Sequence, residues 1–150
     1  MYTVSGRCHC GNIRVDLKLT RQLSQYSPRA CDCSFCTKHR AAYISDPEGS
    51  LMVRFEDPGK VGRYRQGSET AEMLLCRNCG VLLGALFHDG VRDYATINAR
   101  VLDGAIACGT DQIVSPQTLS QSEKTDRWRR IWFSDVVLAV SVTSSGTSSS

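Results

Sequence analysis

The chain has 150 residues, of which 41% are hydrophobic and 7% aromatic, a composition that fits one globular domain. Its longest apolar stretches, such as residues 136–140, are too short to cross a bilayer, and no apolar run of signal-peptide type precedes Cys8. We therefore expect a cytoplasmic protein with no membrane partner. The formal charge of +3 is a weak argument for an anionic partner such as a nucleic acid.

The predicted elements are mainly short strands. Residues Ile13–Leu19 alternate apolar and charged side chains, which predicts a half-buried strand. The other predicted elements follow in chain order: a short helix at 37–42, strands at 42–45, 51–55, 61–65, 71–75 and 94–99, and a short helix or turn at 127–132 that packs its tryptophans on the sheet. The sequence thus predicts one β-rich domain over residues 1–140 and a Ser-rich tail over residues 141–150.

Eight cysteines are the most informative feature of the composition. A disulfide scaffold fits poorly, because cytoplasmic thiols stay reduced and residues as close as Cys8 and Cys10 cannot readily pair with each other. Metal binding is the better explanation. Seven thiolates and two Zn²⁺ ions would together add three negative charges, which cancels the formal charge of +3 and removes the argument for nucleic acid.

Seven of the cysteines fall into three groups that have the spacing of zinc ligands. We call them the N-terminal pair (Cys8 and Cys10), the central trio (Cys31, Cys33 and Cys36) and the hairpin pair (Cys76 and Cys79). The hairpin pair lies between two apolar segments, as in a zinc knuckle that joins two strands of a hairpin. A closed structural zinc takes four thiolates, whereas a catalytic zinc keeps one position open.

Joining the two pairs gives a complete four-cysteine structural site and leaves the central trio as an open three-cysteine site. Two alternatives remain. Cys36 can complete another grouping, or Cys108 can serve as a fourth ligand to the trio, although a small buried hydrophobic side chain is the favoured interpretation of Cys108. His9 and His39 are interpreted as solvated imidazoles beside the clusters, and a proton-transfer role for either is a hypothesis. Asp32 is expected to face solvent.

The three cysteine groups and the residues around them resemble the glutathione-dependent formaldehyde-activating enzyme family, which includes centromere protein V. The resemblance lies in residues 6–11, 31–36 and 76–80 and continues through residues 96–103. It implies a mainly β fold, a β-tent of small antiparallel sheets joined by zinc knuckles and related to methionine sulfoxide reductase B. It also implies two zinc ions per chain, a structural one on the two pairs and a second one on the central trio.

The resemblance further implies a zinc-dependent carbon–sulfur lyase or synthase acting on a small thiol adduct similar to S-hydroxymethylglutathione. Zinc on three thiolates is a weak Lewis acid that suits an exchangeable substrate thiolate, so Cys31, Cys33 and Cys36 are the candidate catalytic residues. Arg40, Arg63 and Arg65 are candidates, by charge alone, for contact with the carboxylates of glutathione. The alternative function is a non-catalytic zinc-binding module for protein interaction or chromatin association.

Residues 105–123 lack the Pro-x-x-His-Ile-like stretch of the family; residues 111–113 come nearest to it, without the histidine. The sequence therefore leaves the substrate open. A methionine sulfoxide reductase activity is not favoured, because it needs a redox cysteine outside the metal sites and Cys108 alone qualifies.

Overall fold

The computed structural model describes residues 1–65 and 70–141. Within them the chain forms, besides short 3₁₀ turns, strands and two α-helices in the following order: β1 Tyr2–Arg7, β2 Ile13–Leu19, β3 Arg29–Cys31, α1 Ser34–His39, β4 Tyr43–Ile44, β5 Ser50–Phe55, β6 Val61–Arg65, β7 Glu72–Cys76, β8 Leu82–His88, β9 Asp93–Asn98, β10 Gln112–Val114, α2 Gln121–Ile131 and β11 Val136–Val140. The mainly β fold class is therefore confirmed.

The strands form two sheets. One has the order β1-β2-β5-β11, and the other has the order β10-β3-β4-β9-β8-β7-β6. Most neighbours are antiparallel, but β11 runs parallel to β5 and β10 runs parallel to β3. The expectation of purely antiparallel sheets is wrong at these two edges, because each edge strand returns after a long connection, which permits parallel pairing.

Strand β2 shows the predicted alternation and lies inside its sheet between β1 and β5. Ile13, Val15 and Leu17 are each at most 1% exposed and pack in the main core, whereas the intervening side chains face outward. On the outer face the Asp16 carboxylate accepts hydrogen bonds from Ser5 and Arg54. Period-two burial of this kind fixes the register, since a slip of one residue would turn the apolar side chains to solvent.

Both helices differ from their predicted bounds for reasons visible at their ends. Helix α1 begins at Ser34 because the Cys33 sulfur accepts a hydrogen bond from the Cys36 N–H at 3.4 Å, and it ends before Arg40, which has a φ of 51°. Helix α2 begins at Gln121 because Ser120 and Glu123 form a capping box, a Ser-x-x-Glu signal that the sequence prediction missed.

The tryptophans of α2 pack on the sheet as predicted. Trp128 and Trp132 stack with ring centroids 4.8 Å apart, and Trp128 meets the edge of Phe87 in β8 at 5.2 Å. This second apolar cluster also contains Cys33 and Cys36, so the packing of α2 builds one wall beside the central trio.

The predicted Ser-rich tail lies outside the described residues from residue 142 onward, and the domain boundary at residue 140 stays a prediction. Among the helices that the structure describes, none has both the length and the apolar character that a membrane span requires. The cytoplasmic location likewise stays a prediction.

A buried carboxylate ties the connection after β2 to the segment that follows β4. Asp46 is 4% exposed and accepts hydrogen bonds from the Thr20 backbone N–H at 2.8 Å, the Thr20 hydroxyl at 2.6 Å and the Tyr26 hydroxyl at 2.6 Å. Burial alone would raise the pKa of Asp46, but these hydrogen bonds outweigh it and lower the pKa to about 2. The carboxylate is therefore ionised at neutral pH.

Replacing Tyr26 by phenylalanine removes one of these charge-assisted hydrogen bonds, and we expect it to lower the free energy of unfolding by about 1.5–3 kcal/mol. The measurement is urea unfolding at neutral pH, where cysteine ligands keep their metal; acid would protonate them as well as Asp46. Tyr2→Phe is the matched control, since Tyr2 is 46% exposed. Equal stability of the two variants would contradict the prediction.

Candidate metal centres

The first candidate centre joins the two sheets. The N-terminal pair lies between β1 and β2. In the hairpin pair, Cys76 ends β7 and Cys79 lies in the turn to β8, and both of these strands belong to the other sheet. All four sulfur atoms lie within 4.8 Å of one another, and Cys10 Sγ is 3.7 Å from Cys8 Sγ and 3.6 Å from Cys76 Sγ. A zinc tetrahedron with bonds of about 2.3 Å has sulfur atoms about 3.8 Å apart. The donor set therefore fits zinc.

The backbone conformation at both turns of this cluster favours glycine. Gly11 has a φ of +86° and Gly80 a φ of +83°, so a glycine follows each cysteine pair at a position that side chains with a Cβ rarely adopt. The Ile13 N–H donates to the Cys8 sulfur at 3.3 Å, and the Cys79 N–H donates to the Cys76 sulfur at 3.5 Å. Such bonds offset the charge of thiolate ligands.

The four thiols of this cluster have unequal environments. Burial raises the pKa of Cys8 to about 12, whereas a hydrogen bond from the Asn78 side chain lowers the pKa of Cys10 to about 6. The buried sulfur therefore stays a neutral thiol unless a cation replaces its proton. A metal ion that binds all four cysteines must displace that proton, so metal retention should weaken in acid.

The second candidate centre is the central trio. Cys31 ends β3, Cys33 caps α1 and Cys36 lies in its first turn, and their sulfur atoms all lie within 4.8 Å of one another. Cys33 and Cys36 are buried, whereas Cys31 is half-buried. The group holds no fourth His, Cys, Asp or Glu from the described residues. Cys108 belongs to neither cluster and packs against the main core, but it is half-buried rather than buried as the favoured interpretation had it.

Tyr43 contacts the central trio through its hydroxyl group. Its hydroxyl lies 3.1 Å from Cys36 Sγ. Burial, and then the charge of Cys36, raise the pKa of Tyr43, so it remains a phenol and would donate a hydrogen bond to Cys36 when a metal ion holds that cysteine as a thiolate. A hydrogen bond to a metal ligand both orients that ligand and reduces the negative charge it passes to the metal.

We expect Tyr43→Phe to weaken metal retention at the trio by about 10-fold, within the range for residues that support a ligand. The measurement is the transfer of zinc to a chromogenic chelator, in which the four-cysteine cluster of the same molecule serves as the internal reference. Tyr94→Phe is the control, because the Tyr94 hydroxyl makes no hydrogen bond to either cluster. Identical transfer curves for the two variants would show that the Tyr43 bond has no such effect.

The trio opens into a cavity of about 340 Å³. The three cysteines and Tyr43 form one side of it, and Met73, Trp128 and Trp132 form an apolar wall. Three cationic side chains also line the cavity: Arg29, Lys124 and Arg127. A cavity of this size, largely apolar with a few convergent polar groups, is typical of a small-molecule site.

The polar residues chosen from the sequence lie elsewhere. His9 and His39 are exposed and do not line the cavity. His39 packs against the Phe35 ring at 4.7 Å. Asp32 is exposed, as expected, and its carboxylate accepts hydrogen bonds from Ser115 and Gln117.

The arginines named as carboxylate contacts also lie outside the cavity. Arg63 and Arg65 both pair with Glu72 on the neighbouring strand β7, and Arg40 immediately follows helix α1. Sequence reasoning missed Arg29 and Arg127. The available signal was their position beside other site residues: Arg29 is two residues before Cys31, and Arg127 immediately precedes the first tryptophan.

The structure therefore brings the seven cysteines together in the two groups that the sequence predicted, and one group opens into a cavity. This is a mainly β protein with two cysteine clusters that can hold metal ions. Residues 3–120 match the family profile described as glutathione-dependent formaldehyde-activating enzyme, and the chain belongs to this family.

A solved crystal structure of a protein from Rhodobacter sphaeroides is similar to the chain with a TM-score of 0.52 and 23% sequence identity. The alignment covers 90% of this chain and 98% of that protein. At this identity the likeness supports the fold alone. No curated protein matches the chain.

Proposed function

We propose that the protein is a zinc-dependent carbon–sulfur lyase or synthase for a small thiol adduct, with a structural zinc on the four-cysteine cluster and a second zinc on the central trio. One observation carries the proposal: three clustered cysteine sulfur atoms, with no fourth ligand among the described residues, face a cavity of small-molecule size. Membership of the family supports glutathione as a candidate thiol.

The reaction is the reversible joining of a thiol and an aldehyde. In the synthetic direction a bond forms between the thiol sulfur and the carbonyl carbon, the carbonyl π pair moves to oxygen, and the thiol proton is transferred to that oxygen. The lyase direction reverses these changes, so no oxidant or reductant is needed. When bound at the trio, zinc would supply an exchangeable position that favours the ionised form of the thiol.

The residues of the chain have distinct tasks in this proposal. Cys31, Cys33 and Cys36 would hold the metal ion. Their three negative charges weaken its attraction for the substrate thiolate, which can therefore leave again. Tyr43 donates to Cys36 and fixes its orientation. Trp128 and the other apolar wall residues exclude water from one side of the thiol, which lengthens the life of an adduct that water would otherwise help to break down.

The cavity also favours this proposal over a non-catalytic interaction or chromatin module. A module that needs metal only for folding could close both clusters with four ligands, whereas one cluster finds only three among the residues that the structure describes, and it faces a cavity. A zinc-loaded protein would also have no net positive charge to attract a nucleic acid.

The experiment is to measure the exchange between ¹³C-formaldehyde and its glutathione adduct by nuclear magnetic resonance, with zinc-loaded protein at several concentrations. We expect the exchange rate to rise in proportion to protein concentration. Cys108→Ser, which leaves both clusters intact, should keep this acceleration. An exchange rate equal to that of the protein-free mixture would contradict the proposal for this adduct.

A further inference from the structure

We propose that the cavity selects an anionic thiol, and that Arg29 and Arg127 bind its carboxylate while the tryptophan wall packs on its hydrocarbon part. The identification of the ligand as a thiol rests on the proposed function. The assignment of the arginines rests on their own contacts and charges. It narrows the substrate to a thiol that carries a carboxylate and disfavours a thiol whose only charged group is an ammonium.

Arg29 is held in place by neutral partners. Its Nη2 donates to the Ser45 hydroxyl at 2.8 Å and to the Thr96 hydroxyl at 3.1 Å. Each hydroxyl uses its own proton elsewhere, on the carbonyl of Ile131 at 2.6 Å and on that of Ile44 at 3.1 Å. Both hydroxyls are therefore fixed as acceptors toward Arg29. They orient the guanidinium without neutralising it, and its remaining donors are available to a ligand.

The cavity cations have no carboxylate partner in the described part of the chain, although Arg127 lies close enough to Cys31 to interact with the charge of its thiolate. Arg29, Lys124 and Arg127 form none of the ion pairs of the described residues, and no lining residue is an aspartate or glutamate. Arg127 instead lies close enough to Arg29 for the two charges to repel each other. Placing like charges together in a half-buried site is unfavourable unless an anion joins them.

The negative charge of the metal centre does not remove the need for an anionic ligand. Zinc on three thiolates is formally −1, and a bound substrate thiolate makes the centre −2. Against three cavity cations this leaves one positive charge, which one substrate carboxylate would balance. A planar guanidinium can bind both carboxylate oxygens, so arginine is suited to this task.

Helix α2 places the cations and the aromatic wall on the same face. Arg127 and Trp128 lie three and four residues after Lys124, Trp132 follows one turn later, and all four line the cavity. A ligand between β3 and α2 would therefore meet Arg29 from one side and Arg127 from the other. Its methylene groups would lie on the stacked indoles.

The two tryptophans of the chain both line this cavity, so their fluorescence reports its occupancy. The test titrates zinc-loaded protein with 3-mercaptopropionate and with cysteamine, which have the same two-carbon spacer and opposite terminal charge. We expect the acid to bind at least 10-fold more tightly. Arg127→Gln should lower the affinity for the acid by about 10-fold, as for one charge-assisted hydrogen bond, and should not weaken the binding of cysteamine.

Arg130→Gln is the matched control, since Arg130 lies on the same helix and does not line the cavity; it should bind both thiols as the parent does. Propionate, which has no sulfur, separates the two hypotheses. Equal affinity for acid and amine would overturn the anion site and leave the proposed function standing. Binding of propionate as tight as that of 3-mercaptopropionate, with no binding of cysteamine, would uphold the anion site and overturn the proposed function.

Discussion

Cys76→Ser is expected to unfold the protein. Cys76 is 1% exposed, ends β7, and shares its cluster with Cys8, which follows β1 in the other sheet. A structural zinc contributes on the order of 10–16 kcal/mol to folding at neutral pH, as much as the whole stability of a typical domain, about 5–15 kcal/mol. Weakening this centre therefore removes most of the free energy of unfolding. The variant should lose its cooperative thermal transition and should retain less than two zinc ions per chain.

Circular dichroism and metal analysis measure these two effects. Cys108→Ser is the control, because it is the same chemical change at a cysteine that belongs to neither cluster. It should keep two zinc ions and melt within a few degrees of the parent. A Cys76→Ser protein that melts as the control does would show that the four-cysteine cluster does not hold the fold together.

Cys31→Ser is expected to have the opposite pattern: a folded protein without activity. Cys31 is half-buried at the end of a three-residue strand, and its loss leaves two cysteines on one helix, too few to retain a metal against competing ligands. The zinc content should fall from two ions to one. Adduct exchange should fall to the protein-free rate, while the melting temperature should change far less than in Cys76→Ser.

Metal analysis, thermal melting and the exchange rate are measured on the same preparation. Cys108→Ser is again the control: it should keep two zinc ions and the exchange rate of the parent, so that the loss in Cys31→Ser is specific to the trio. A Cys31→Ser protein with one zinc and undiminished exchange would place the chemistry outside the trio. Loss of folding in this variant would make the trio a second structural centre, contrary to the division of roles proposed here.

Much of the fold and the clustering could be predicted because the signals are local. The alternation in Ile13–Leu19 reports a sheet with one buried face, and it appears in the structure as strand β2 with the same bounds. The hairpin pair likewise lies between two antiparallel strands, as its flanking apolar segments predicted. Cysteine spacing is a strong constraint because few other functions need several thiols within a few residues.

The cavity could not be predicted because its residues meet only through the fold. Arg29 and Arg127 are far apart in the sequence, and a lone arginine carries no mark that separates a ligand contact from a surface charge. From the sequence, Arg63 and Arg65 were candidates for a ligand contact as good as Arg29 and Arg127. The pairing of β6 with β7 places Glu72 beside Arg63 and Arg65. The parallel edge strands were missed for the same reason, because each pairs with a distant segment. The early start of α2 is different: its Ser120 and Glu123 capping box is a local signal that could have been used.

The central claim is that one zinc is closed by four cysteines and the other is held by three. X-ray absorption at the zinc edge tests it directly on protein loaded with two zinc ions per chain. We expect an average of about 3.5 sulfur neighbours per zinc, rising to about 4 when glutathione or 3-mercaptopropionate is added. An average of about 4 before any thiol is added, or no change when either thiol is added, would contradict the claim.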